Sequence, residues 1–201
     1  MWISFDLDGV LMRNPFREGV FPELSAAMAP AFGGEPRRAL EAIMAEYFRR
    51  LSLARQAAEG RGVAAGGQSE HEADPASPYD WDAIVASAAA GAGLEGFPPE
   101  PIAAIVRRYA ARPGYVAFQH PTVPAALERL ARQGHHLVVV TNGLWSYQQP
   151  VLEALGIAGR FERVAAPDLT GAAKPSPEAF RAALGPAGSP EAVHVGDDLL
   201  Y

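Results

Sequence analysis

The stretch VPAALERLARQGHHLVVVTNG, residues 123–143, decides the fold. Val123–Gly134 has the apolar spacing of an amphipathic helix, with Thr122 placed to cap its start and Gly134 placed to stop it. His136–Val140 is a short, continuous, β-branched run, the pattern of a strand buried inside a parallel sheet. Thr141, Asn142 and Gly143 then turn the chain. Working outward, Trp2–Phe5 (WISF) reads as another buried strand, bounded by Asp6. Trp145–Leu155 reads as a helix, with Pro150 expected near its start or at a bend. A strand is expected at Arg163–Ala165. A helix follows, with Ser176 as N-cap, Pro177 at the first helical position and Gly185 as stop. A last strand is expected at Ala192–Val195.

Strand and helix thus alternate over residues 120–201, which predicts a doubly wound α/β sheet. Such sheets bind ligands outside the carboxyl ends of their strands. Polar residues stand at those ends: Asp6 and Asp8, Thr141 and Asn142, Asp197 and Asp198.

Residues 14–115 differ. Helical periodicity runs through Pro22–Met28, Arg37–Leu53, Trp81–Ala90 and Pro99–Ala111, with no convincing strand between them. This predicts a helical insertion after the first strand. Gln56–Pro78, rich in Gly, Ala and acids, is expected to be a mobile loop. The net charge of −6 argues against a nucleic-acid surface. With no cysteine, thiolate metal sites and disulfides are excluded, and a reducing, cytoplasmic setting fits. The acidic N-terminus argues against a signal peptide, and no apolar run is long enough to span a membrane.

Four short motifs carry chemistry. In FDLDG, Asp6 and Asp8 can turn toward one pocket past the strand end, and Gly9 permits a sharp departure. Two carboxylates so close repel unless one is protonated or a cation lies between them. Asp197 and Asp198 in VGDD add further negative charge, which a hard oxygen-ligated cation such as Mg²⁺ would relieve. Taken alone, each has a plainer alternative: FDLDG an ordinary Asp-Gly turn, VGDD a turn after a strand. TNG holds one of two asparagines and one of three threonines in the chain. It reads either as an anion site or as a strand-to-helix turn. Lys174, in KPSPEAF, is the only lysine among seventeen basic residues. An ammonium is a compact point charge that fits where a planar guanidinium does not; chance survival of one lysine is the plain alternative. His120, His135, His136 and His194 are not spaced as a metal set and read as structural or surface residues.

In this order, FDLDGVL, VVVTNG, KPSPEAF and HVGDD resemble the four motifs of the haloacid dehalogenase-like (HAD) hydrolase superfamily. The resemblance implies a three-layer, Rossmann-like core with a parallel sheet over residues 1–13 and 115–201. Residues 14–114 are then similar to the family's helical C1-type cap, which gates the site.

The resemblance also implies a Mg²⁺-dependent hydrolase of small phosphomonoesters. Asp6 would be the nucleophile that forms an aspartyl-phosphate, and Asp8 the general acid and then base. Thr141, Asn142 and Lys174 would hold the phosphoryl oxygens, Lys174 touching Asp6 as well. Mg²⁺ would lie on Asp6, the Asp8 carbonyl and Asp197, with Asp198 and Gly143 in support. The partner is then a small phosphorylated metabolite, with no nucleic acid or membrane, and the chain a monomer or homodimer. Arg13 and Asn14 read either as substrate-facing or as hinge residues. An acid at Asp8 disfavours the C–Cl-cleaving dehalogenases, which lack it. A cap without lysine excludes the imine-forming phosphonate chemistry, and nothing in it supports a phosphosugar mutase. The alternative from another class is a HAD-like binding protein without turnover. The family commonly carries a further acid just past Asp197, in a GDxxxxD pattern; its absence before Tyr201 reads as a truncated C-terminus.

Overall fold

The computed structural model describes residues 1–61, 78–185 and 191–197. In chain order the strands are β1 (Trp2–Phe5), β2 (Met12–Arg13), β3 (Ala117–Phe118), β4 (His136–Val140), β5 (Arg163–Ala165) and β6 (Ala192–Val195). The helices are α1 (Phe21–Met28), α2 (Pro36–Arg61), α3 (Trp81–Gly91), α4 (Ile102–Ala110), α5 (Val123–Arg132), α6 (Trp145–Ala154), α7 (Pro167–Thr170) and α8 (Pro177–Leu184). Packing divides the chain into Met1–Val20 with Ala103–Tyr201, and Phe21–Ile102.

The first unit holds a parallel sheet of order β5-β4-β1-β6. The expected α/β architecture is therefore present, with β1 and β4 as its inner strands. β4 is buried from Leu137 to Val140 because both of its faces are covered. Val138 and Val140 point to one face and pack with Ala165 of β5 and Ala179 and Ala183 of α8. The two alanines are one helical turn apart, so α8 can lie close to the sheet. Leu137 and Val139 alternate to the opposite face and are also buried. Phe5 is in register with Val139 on one side and Val195 on the other, so three strands end at one edge.

Several local expectations change. Thr122 sits at the N-cap of α5, but its side chain makes no cap bond; its hydroxyl pairs with His120 Nδ1 at 2.8 Å instead. Gln56–Arg61, expected to open a loop, continue α2; residues 62–77 of that segment lie outside the described ones. The two-stranded antiparallel ribbon of β2 and β3 was not legible, because two-residue strands carry no periodicity. Pro150 lies in the body of α6 and is buried. At α8, Ser176 Oγ accepts from Ala179 N at 3.3 Å, the expected cap.

The second unit contains α1, α2 and α3. Tyr47 of α2 stacks on Trp81 of α3 at 5.1 Å, and Phe21 of α1 meets the edge of Trp81 at 4.9 Å. Asp80 caps α3 by accepting from Ala83 N at 3.1 Å. Among the described residues, no helix is long and apolar enough to cross a membrane.

Candidate functional site

The carboxyl edge of the sheet brings together most of the residues singled out in the sequence. Asp6 leaves β1 directly, its N–H donating to Val195 O at 2.9 Å. Both of its carboxylate oxygens accept: Oδ1 from Leu7 N at 2.8 Å, Oδ2 from Lys174 Nζ at 2.5 Å. The Lys174 side chain is only 2% exposed and that of Asp6 15%, so the ion pair is largely shielded from water.

Asn142 explains how Lys174 reaches that position. Its Oδ1 accepts from Lys174 N at 2.6 Å, and its Nδ2 donates to Lys174 O at 3.3 Å. The side chain thus clamps the lysine backbone from the end of β4. Thr141 is buried beside it; its Oγ1 accepts from Gly143 N at 3.1 Å.

Asp8 is held from both sides. Asn14 Nδ2 donates to Oδ1 at 2.7 Å, and Gln148 Nε2 donates to Oδ2 at 2.6 Å. Asn14 is itself fixed, because its Oδ1 accepts from Phe16 N at 3.0 Å. Burial pushes the Asp8 carboxyl up from 3.8 to about 6; the two amide bonds oppose this, and the charges of Asp6 and Asp197 add to it.

This shift has a consequence for stability. Between pH 3.8 and about 6 the folded chain binds a proton that the unfolded chain releases. The stability Asp8 contributes is full below that window and is lost as pH rises through it. In metal-free buffer, the urea midpoint is expected to drop across this range more in the native protein than in Asp8→Asn. Parallel pH series of denaturation curves check it.

Asp197 follows β6 and is exposed. Its carboxylate lies against Gly9, where a Cβ would collide with Oδ2. Gly9 also has φ +79°, so glycine is required twice over, for the turn and for the close approach. Asp198 lies outside the described residues. Asp6 and Asp197 both act electrostatically on Asp8, and Lys174 is ion-paired to Asp6. Hard carboxylate and carbonyl oxygens with excess negative charge fit Mg²⁺. Among the described residues, no three His, Asp or Glu side chains converge as a metal centre; the expected set has two carboxylate side chains and one backbone carbonyl.

Two contributors were not foreseen. Gln148 was missed, although an amide on the inward stripe of α6, among buried Tyr147, Val151 and Leu152, is a readable signal. Asp168 was also missed. Its two oxygens accept from Trp145 N at 2.7 Å and Ser146 N at 3.1 Å, capping α6 from a separate element. Nothing local to α6 marks that cap. Of the histidines, His194 Nδ1 lies 3.0 Å from Ser4 Oγ. Burial first, then the charge of Lys174, holds its imidazole below the usual range. His136 stacks on Trp2 at 4.5 Å.

Comparison with known proteins bears on the fold and the family. Over 71 residues the chain is 32% identical to a phosphoglycolate phosphatase of Aquifex aeolicus (strain VF5). That match spans 35% of this chain and 33% of the relative, so only about a third of the relative's length is represented. A HAD phosphatase from Thermococcus onnurineus superposes with a TM-score of 0.69 at 23% identity, over 98% of this chain and 77% of that one. The L-2-haloacid dehalogenase of Xanthobacter autotrophicus does so with a TM-score of 0.53 at 17% identity, over 96% and 69%. These likenesses show the fold, which phosphatases and dehalogenases share. The family described as haloacid dehalogenase-like hydrolase matches residues 1–199, and the chain belongs to it.

Proposed function

We propose that the protein is a Mg²⁺-dependent hydrolase of small phosphomonoesters, working through an aspartyl-phosphate. The observation that carries this reading is the pairing of two carboxyls in different settings. Asp6 is held against a buried ammonium, while Asp8 sits in an environment that raises it to about 6. A carboxylate held by an ammonium suits a nucleophile, and a buried carboxyl with a raised pKa suits its acid–base partner.

In the first step an Asp6 oxygen bonds to phosphorus while the ester P–O bond breaks. The electron pair goes to the leaving oxygen, and the Asp8 proton moves onto it. In the second step the Asp8 carboxylate takes a proton from water, whose oxygen bonds to phosphorus. The P–O bond to Asp6 then breaks and releases phosphate. Lys174 neutralises charge on the phosphoryl oxygens while keeping Asp6 in place, and Thr141 and the Asn142 backbone add donors. Asp6, the Asp8 carbonyl and Asp197 would hold Mg²⁺, which supplies charge neutralisation and a common anchor for nucleophile and phosphate. A departing halide needs no proton, so a dehalogenase would have no use for Asp8.

The test is phosphate release from a panel of phosphomonoesters with Mg²⁺ and with EDTA. Release is expected with Mg²⁺, lost in EDTA and restored on re-addition. Release indifferent to EDTA would overturn the metal dependence. Silence across the panel would favour a binding protein.

A further inference from the structure

We propose that Gln148, given room by Gly143, is a positioning residue that aims the Asp8 carboxyl at the leaving group, so that hydrolysis of esters with poor leaving groups depends on both residues. The inference rests on the phosphatase reading above.

Gln148 is 3% exposed on the inward side of α6. Its Nε2 donates to Asp8 Oδ2, while its Oε1 is buried with no hydrogen-bond partner among the described residues. A methionine of similar volume would fill this position without burying an unpaired carbonyl. The amide is therefore explained by the bond it makes to Asp8. Gly143 is the second, independent sign. Its backbone is not in the left-handed region, so conformation does not demand glycine. Space does as long as Gln148 keeps its place: a Cβ at 143 would collide with Gln148 Nε2 and push the amide aside. The start of α6 is fixed by Asp168 on Trp145 N and Ser146 N, so the helix delivers Gln148 from a held end.

With Asn14 on Oδ1 and Gln148 on Oδ2, the plane of the Asp8 carboxyl is set at both oxygens. As the ester P–O bond breaks, its electron pair goes to the leaving oxygen and the Asp8 proton follows. The carboxylate that remains already faces two N–H donors. A strongly basic alkoxide leaves poorly without that proton, whereas p-nitrophenolate delocalises its charge and departs as the anion. Mis-aiming Asp8 should therefore damage alkyl ester hydrolysis far more than aryl ester hydrolysis.

The experiment compares kcat/KM for n-propyl phosphate and p-nitrophenyl phosphate, in the full chain with Mg²⁺, for the native protein, Gln148→Met and Gly143→Ala. Both variants are expected to lose on the order of tenfold more on the propyl ester than on the aryl ester, a share of what general acid catalysis supplies. Equal losses on the two esters, or no loss, would overturn the proposal, since a merely structural role moves both alike. If circular dichroism shows Gln148→Met unfolded, Gly143→Ala decides alone. A native protein that cleaves neither ester would overturn the phosphatase reading itself, and this inference with it.

Discussion

Asp6→Asn is expected to abolish phosphate release, with a loss on the order of 10⁴-fold or more, because a neutral amide cannot open the covalent route. The substitution is nearly isosteric, so geometry alone would not predict so large an effect. Hydrogen bonding adds a second, measurable signature. Both Asp6 oxygens accept, one from Leu7 N and one from Lys174 Nζ. An asparagine has one acceptor and one donor end, so either orientation sets an N–H against another N–H. The variant should therefore also be less stable, by about 1–3 kcal/mol for one buried donor left unsatisfied. Phosphate release and a urea titration of the same preparation check both parts. Substantial turnover by folded Asp6→Asn would remove Asp6 from the nucleophile's role.

Lys174→Arg is expected to lose at least about 100-fold in kcat/KM, the scale of removing one preorganised donor to the transition state. Charge is conserved here, so the loss isolates shape. The side chain is 2% exposed, leaving no room for a wider group. Nor can the backbone retreat, since Asn142 holds both Lys174 N and Lys174 O. A planar guanidinium would have to displace its neighbours, at about 1–3 kcal/mol for overpacking. Lys174→Met should be worse for stability, about 3–5 kcal/mol, because it strands the Asp6 carboxylate without its partner. Steady-state kinetics and denaturation curves of the two variants separate shape from charge. Native-like turnover by Lys174→Arg would show that any cation suffices there.

If they hold, those predictions would also explain why a chain with sixteen arginines keeps one lysine: a point charge is what fits a closed space beside Asp6. The residue's distinctness was legible in the sequence, and so were the three strand-end motifs. Apolar runs and turn residues are local signals, and β1, β4, β5 and β6 formed where those signals stand. The same holds for α8, whose Ser176 cap and Gly185 stop lie within its own segment.

What lay beyond the sequence was partnership across the fold. Asp168 caps a helix from another element, and Asn142 spends its side chain on the Lys174 backbone. Gln148 meets Asp8 only because α6 packs beside the end of β1, across 140 positions of chain. The sequence by itself determined which carboxyls stand at the strand ends, since periodicity and turn chemistry act over a few residues. Only the tertiary structure decided which donors those carboxyls meet, and hence the raised pKa of Asp8, because burial and hydrogen bonding are properties of packed neighbours.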